Sequence, residues 1–206
     1  MSDHIDYYLT VVSPFAYIGH KAFFDMAAKH GKSVNIKVFN VADVFGNSGA
    51  LPLPKRPPVR QRYRLLELQR SSELRAVELN TKPAHFPVDA TRAELCACAL
   101  VNQGKDIEPF LLAISETVWI KDLNIADEAV LSEVLEACGH DAASTLAASH
   151  EASSAELRAA NSEAAIAADA VGAPAYVYDG EVFWGQDRID YLDRMIASGR
   201  AAFKPE

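Results

Sequence analysis

Apolar positions change their period along this chain, and each change marks an element. Residues Ile5 to Val12 (IDYYLTVV) are almost continuously β-branched or aromatic. That predicts a central strand covered on both faces. Ser13-Pro14 follows, a favoured N-cap before a proline at the first helical position. Phe15, Ile18, Ala22 and Met26 then recur at three- and four-residue spacing. They predict a helix to about His30, ended by Gly31. Val34 to Val41 (VNIKVFNV) alternates apolar and polar residues and predicts a second strand. Strand, helix, strand at this spacing is a βαβ unit with parallel strands and a right-handed crossover.

The middle of the chain loses the period of two. Residues 46–58 (GNSGALPLPKRPP) are rich in Gly and Pro and predict an irregular loop. Val59 to about Leu79 reads as a helix rich in Arg, Leu and Glu, and residues 80–89 (NTKPAHFPVD) as another loop. From Ala90 to about Ala170 successive helices are predicted, with breaks near Gly104, Trp119 to Asn124, and Gly139-His140-Asp141. The alanine-rich stretch from Ala142 favours helix by propensity alone. The end returns to β structure. Ala175 to Tyr178 and Glu181 to Trp184 are short apolar strands joined by the hairpin turn Asp179-Gly180. A last helix is predicted from Asp187 to about Ser198, with Ile189, Leu192 and Ile196 on one face. The order β-α-β, helices, β-β-α is that of an α/β thioredoxin-like fold with a large all-helical insertion, an order that other α/β sandwiches can share. Residues 1–45 and 171–206 would form the thioredoxin-like domain and residues 46–170 the inserted helical domain.

Composition narrows the function. The 206 residues hold 20 basic and 28 acidic side chains, a net charge of −8. A nucleic-acid partner is not expected, because binding phosphates needs a basic face. A local cationic pocket for a small anion remains compatible. No apolar run approaches the roughly 20 residues that span a bilayer, so no membrane partner is expected. No basic segment precedes an apolar run at the start, which points to the cytoplasm. Cys96, Cys98 and Cys138 are odd in number and contain no CxxC pair. They fit a reducing compartment without structural disulfides, and Cys96 and Cys98, two apart in an alanine-rich helical run, read as small buried apolar side chains.

Three places carry candidate chemistry. Ser13 ends a strand and begins a helix whose free N–H groups favour an anion. Redox relatives of the fold place a reactive cysteine there. A hydroxyl cannot exchange disulfides, yet it can donate to a bound thiolate; a plain N-cap is the other reading. Gly172-Ala173-Pro174-Ala175 sets a proline before a short strand, the usual place in this fold for a cis bond. Either a cis bond frees the Ala173 backbone to pair with an extended peptide, or Pro174 is an ordinary trans strand start. Gln186-Asp187-Arg188 opens the last helix. There Asp187 is either a cap or a receptor for an ammonium group, beside N–H groups suited to a carboxylate. A thiol site, a peptide site and an amino-acid site in one groove suit glutathione.

These residues resemble a known family. Ser13-Pro14-Phe15-Ala16-Tyr17, Arg60-Gln61-Arg62-Tyr63, Phe86-Pro87, Trp119 with Asp127, Leu157-Arg158-x-x-Asn161, Ala173-Pro174 and Phe183-Trp184-Gly185-Gln186-Asp187-Arg188 occur in order along nearly the whole chain. They resemble the 2-hydroxychromene-2-carboxylate isomerases, DsbA-like thioredoxin-fold proteins related to kappa-class glutathione transferases. The resemblance implies a glutathione-dependent isomerase. It would convert 2-hydroxychromene-2-carboxylate, or a similar intermediate of aromatic breakdown, by reversible addition of a glutathione thiolate. It implies Ser13 as the catalytic residue. Glutathione would be held by Ser13, Ala173, Pro174, Gln186, Asp187 and Arg60, Arg60 being suited to an anion of either glutathione or substrate. Phe15, Tyr63, His85 and Arg92 are candidates to touch substrate, no metal is expected, and relatives of this type are commonly homodimers.

The chain departs from the family where many relatives have Gly-Val-Pro-Thr and it has Gly172-Ala173-Pro174-Ala175, losing a hydroxyl. It has Leu9-Thr10-Val11-Val12 where many carry Asp-Phe or Asp-Tyr before the serine, and its Leu51 to Pro58 loop is its own. Two other readings share the groove: a kappa-type glutathione transferase or peroxidase, and a thioredoxin-fold binding protein without turnover.

Overall fold

The computed structural model describes residues 2–205. Two strands open the chain, β1 (His4–Leu9) and β2 (Ser33–Val38), joined by α1 (Pro14–Lys29). Seven helices follow: α2 (Val41–Ser48), α3 (Pro58–Arg75), α4 (Thr91–Asn102), α5 (Glu108–Trp119), α6 (Glu128–Ala137), α7 (Ala142–Ser149) and α8 (Ala152–Ala167). The hairpin β3 (Ala175–Tyr178) and β4 (Glu181–Trp184) comes next, then α9 (Ile189–Ser198). The sheet order is β2-β1-β3-β4. β1 runs parallel to β2 and antiparallel to β3, and β3 is antiparallel to β4. β1 is thus a central strand, as its apolar run predicts.

Side chains alternate across β1 because successive Cβ atoms point to opposite faces. Ile5, Tyr7 and Leu9 join the large core with α1, α4, α5 and α9, while Tyr8 joins Phe39, Val44 and Ala165 on the other face. The Tyr7 and Tyr176 rings stack at 5.1 Å, and Phe23 of α1 lies 4.7 Å and 4.4 Å from them. Such aromatic pairs add about 0.5–1.5 kcal/mol each beyond the area they bury.

The structure moves several expected boundaries. The second strand stops at Val38, and Val41 begins a helix. Asn40 explains this: its side-chain oxygen accepts from the Ala42 N–H at 3.2 Å and caps α2. α2 then runs into the expected loop and ends at Ser48, before Gly49 in the left-handed region (φ 72°). A single 3₁₀ turn, Leu53–Lys55, is the remaining order there. α3 stops at Arg75. A further break at His150-Glu151 separates α7 from α8. The last helix starts at Ile189, after a 3₁₀ turn over Gln186–Arg188. α8 falls within the stretch expected to form a separate helical domain, yet Ala164, Ala165 and Ile166 pack with Tyr8 and Phe39 in the second core beside the sheet.

Candidate functional site

The site grows from the turn between β1 and α1. Ser13 is buried, with 7% of its surface exposed. Its N–H donates to the Thr10 carbonyl at 3.0 Å, and its Oγ accepts from the Ala16 N–H at 3.2 Å. Pro14 occupies the first helical position, and no acidic side chain lies in the first turn of α1. The positive end of the α1 dipole is therefore left for an external anion.

Distant segments hold this turn in place. Ser115 of α5 donates to the Val11 carbonyl at 3.3 Å. Thr10 donates its Oγ1–H to Oε1 of Glu94, which is only 2% exposed. Arg158 of α8 donates both Nε–H, at 2.8 Å, and Nη2–H to the other Glu94 oxygen. Burial pushes the Glu94 carboxyl up and Arg158 opposes it. Both oxygens face donors, the arrangement that an ionised carboxylate needs. On the same helix Asn161 donates to the Val38 carbonyl at 2.9 Å, and Ser162 accepts from the Asn40 N–H at 3.0 Å. α8 thus clamps the ends of β1 and β2 beneath Ser13.

The opposite wall is the approach to β3. The Ala173-Pro174 peptide bond is cis, and the Ala173 carbonyl accepts from Ser13 Oγ at 3.4 Å. The Gly185 N–H donates to the Pro174 carbonyl at 2.9 Å. Gly172 packs closely on its neighbours: a Cβ there would stand 3.0 Å from Trp184 Nε1, a tight contact, and 3.5 Å from the Phe45 ring. Ser13, Ala173 and Pro174, far apart in sequence, therefore meet as expected. Phe15 is half-buried one residue into α1.

The other expected residues are placed less uniformly. Asp187 is exposed and hydrogen-bonded to Arg188 Nη1 at 2.6 Å. The Gln186 side chain is engaged within the protein. It is buried, donating to Ser71 Oγ and accepting from Arg75 Nε, both at 3.1 Å, so it ties the 3₁₀ turn after β4 to α3. The Gln186 carbonyl is engaged too, accepting from Arg75 Nη2 at 3.1 Å, so of its polar groups the backbone N–H is the one left for a ligand. Arg92 is also engaged within the protein. It donates to Ser149 Oγ at 3.2 Å and lies 3.8 Å from Glu128, which turns it toward α6 and α7. Tyr63 is 56% exposed, with the Arg70 guanidinium 5.9 Å from its ring. His85 is exposed in the 80–89 loop, and Arg60 is exposed in the first turn of α3.

Sequence reasoning missed Glu94 as the anchor of the turn, and missed Phe45, Arg56 and Arg64. One signal was present for the arginines: no acidic residue occurs between Asp43 and Glu67. Two of the cysteines are buried as expected, and Cys138 is half-buried. Cys96 and Cys98 are buried on α4, where burial pushes their thiols up to about 11 and about 12. Burial raises Cys138 as well. Among the described residues no cysteine lies at the start of α1, so this groove offers a hydroxyl where a redox protein needs a thiol.

Comparison with known proteins agrees with this geometry. The pattern of the DSBA-like thioredoxin domain matches residues 4–197. The 2-hydroxychromene-2-carboxylate isomerase of Sphingobium xenophagum is 26% identical over 200 residues, covering 95% of this chain and 99% of that protein. A solved 2-hydroxychromene-2-carboxylate isomerase superposes with a TM-score of 0.74 at 20% identity, covering 94% of each chain. The cytosolic disulfide reductase DsbM from Pseudomonas aeruginosa, solved with GSH, superposes with a TM-score of 0.68 at 13% identity, covering 95% of this chain and 98% of that one. The matched domain spans nearly the whole chain, and the chain belongs to the DsbA-like thioredoxin family.

Proposed function

We propose that this protein is a glutathione-dependent isomerase acting on 2-hydroxychromene-2-carboxylate or a similar intermediate of aromatic breakdown. One observation carries the reading: Ser13 Oγ stands at the positive end of α1, facing Ala173, where a redox relative would present sulfur. The near full-length likeness to the Sphingobium xenophagum isomerase supports it. When bound, glutathione would supply the nucleophilic thiolate that this groove lacks.

The chain's own groups suit that ligand. Ser13 Oγ already accepts from Ala16, so its hydrogen is available to an anion; its present bond to Ala173 is long at 3.4 Å. The α1 N-terminus adds positive potential at the same point. The Ala173 N–H has no partner among the described residues and is placed to pair with an extended peptide. Asp187 is exposed for an ammonium group, and Arg60 for a carboxylate. A homodimer and a cytoplasmic location belong to this proposal through the family resemblance.

Calorimetric titration with reduced glutathione, beside the Ser13→Ala variant, tests the reading. A hydrogen bond to a charged group contributes about 1.5–3 kcal/mol, so S13A should weaken binding roughly 10- to 100-fold. Affinity in the unaltered protein should rise with pH as the glutathione thiol ionises, near ~8.5 for an ordinary thiol. No binding at millimolar glutathione, or equal affinity in S13A, would overturn the proposal.

A further inference from the structure

This acidic protein gathers uncompensated positive charge in one place. Lys55, Arg56, Arg60, Arg62 and Arg64 occur in the stretch between Asp43 and Glu67 that holds no acid. Six of the eleven arginines reach a carboxylate at salt-bridge distance. Among the described residues Arg56, Arg60, Arg62 and Arg64 do not; the remaining one, Arg194, is a surface residue. α3 makes the arrangement more costly, because Arg56 and Arg60 flank the positive end of its dipole, where cations are disfavoured.

Two of these cations are partly buried, each against one aromatic ring. The Arg64 guanidinium lies 5.5 Å from the Phe86 ring and that of Arg56 lies 5.8 Å from the Phe45 ring. Phe86 is backed by Trp119 at 4.8 Å. Arg56 is further fixed by donating Nε–H to the Leu51 carbonyl at 2.7 Å. Burial and the Arg56 charge lower Arg64 to about 10, and burial and Arg60 lower Arg56. Phe45 also borders the groove, since it touches the space beside Gly172. Arg56 is thus one aromatic ring and one peptide away from Ala173, the partner of Ser13.

Clustered like charges that are partly dried lack a stabilising counterpart in the protein itself. A flat aromatic carboxylate supplies one. Its oxygens match the guanidinium fork, and its ring stacks against Phe45 and Phe86. We propose that Arg56 and Arg64, with Arg60 at the rim, form the site that receives the carboxylate of a planar aryl acid substrate beside the Ser13 groove. This rests on the isomerase reading, in which glutathione occupies the Ser13 side. The pair would then select the acceptor and not the thiol.

The test is calorimetric titration of the whole protein with three probes: chromone-2-carboxylate, its neutral carboxamide, and reduced glutathione. The carboxylate should bind at least tenfold more tightly than the carboxamide. Arg64→Leu and Arg56→Leu should each weaken the carboxylate at least tenfold and leave glutathione within twofold. Ser13→Ala should do the reverse. Thermal melts identify a variant that has not folded, and the other arginine variant then decides. Equal binding of carboxylate and carboxamide overturns the site. So does an arginine variant that folds and keeps its carboxylate affinity. An equal loss of glutathione overturns it too, since the arginines would then hold the thiol donor. A protein that binds the carboxylate through Arg56 and Arg64 but fails to bind glutathione keeps this site and removes the isomerase reading.

Discussion

Two arginine-bearing regions flank the same groove and are built in opposite ways. Beneath it, Arg158 meets Glu94, and Glu94 meets Thr10, so that every charge has a partner. Above it, Arg56 and Arg64 meet aromatic faces and other cations, and no carboxylate among the described residues. The lower region uses charge to fix the backbone before Ser13. The upper region holds charge without an internal use for it. In a protein of net charge −8, carboxylates are plentiful, so their exclusion from the upper region is the informative fact. On the proposal made above, the paired ion serves the fold and the unpaired ones are kept for a ligand.

Breaking the lower region should have the largest effect. Glu94→Leu would strand Arg158 without its counter-ion and release Thr10. A loss of about 3–5 kcal/mol is expected, or roughly 6–20 °C in Tm for a chain of this size. Circular-dichroism melts measure it. Adding Arg158→Met should recover most of that loss, because two apolar side chains replace a buried pair more easily than one charge stands alone. If the single variant melts with the unaltered protein, the lower region is not a structural anchor.

His20 gives an intermediate effect that sharpens the contrast from within α1. It is buried, its Nε2 has no hydrogen-bond partner, and Glu108 lies 3.8 Å away. Burial pushes its pKa down to about 4 and pushes the Glu108 carboxyl up. Burial therefore outweighs the neighbouring carboxylate, and the ring is neutral at pH 7. The unfolded chain takes up this proton first, near pH ~6.5. The stability from a neutral His20 is complete above that pH and is lost as pH falls toward about 4. The loss should reach at most about 3 kcal/mol. Urea titrations at pH 7 and pH 4.5 should show it, and His20→Leu should flatten that difference. An unchanged slope in the variant would remove His20 as its source.

The smallest effect belongs to the upper region. Arg64→Leu removes a cation that has no counterpart, so stability should stay within about 1 kcal/mol of the unaltered protein, on the stabilising side. A loss above roughly 2 kcal/mol would make Arg64 a structural residue and erase the contrast with Arg158.

Local signals made the frame legible. Ser13-Pro14, the helical period after it, and Asp179-Gly180 each act within a few residues, and each lies where it was expected. Ser13, Ala173 and Pro174 could be placed together because the order of elements implies the topology. What escaped depends on partners far along the chain. The Gln186 amide meets Ser71 and Arg75, 115 and 111 residues away, and nothing local distinguishes such a glutamine from one that binds a ligand. Arg92 looked like an available cation until Ser149 and Glu128 folded against it. Asn40 was missed for another reason. A cap and a strand residue look alike when the alternation runs through both, as it does in VNIKVFNV.

The central position of β1 has a consequence for how the chain is made. Its β2 edge can pair soon after Val38 emerges, but its other edge waits for β3, whose residues come some 165 positions later. At about 5–20 residues per second, that is roughly 10–30 s during which an apolar strand edge stands open. An edge of that kind invites pairing with other chains. The groove is also assembled last, because Ala173 reaches Ser13 only when β3 docks. The nascent protein thus has no complete site, and a chain that depends on a chaperone should need it most in the interval before β3 arrives.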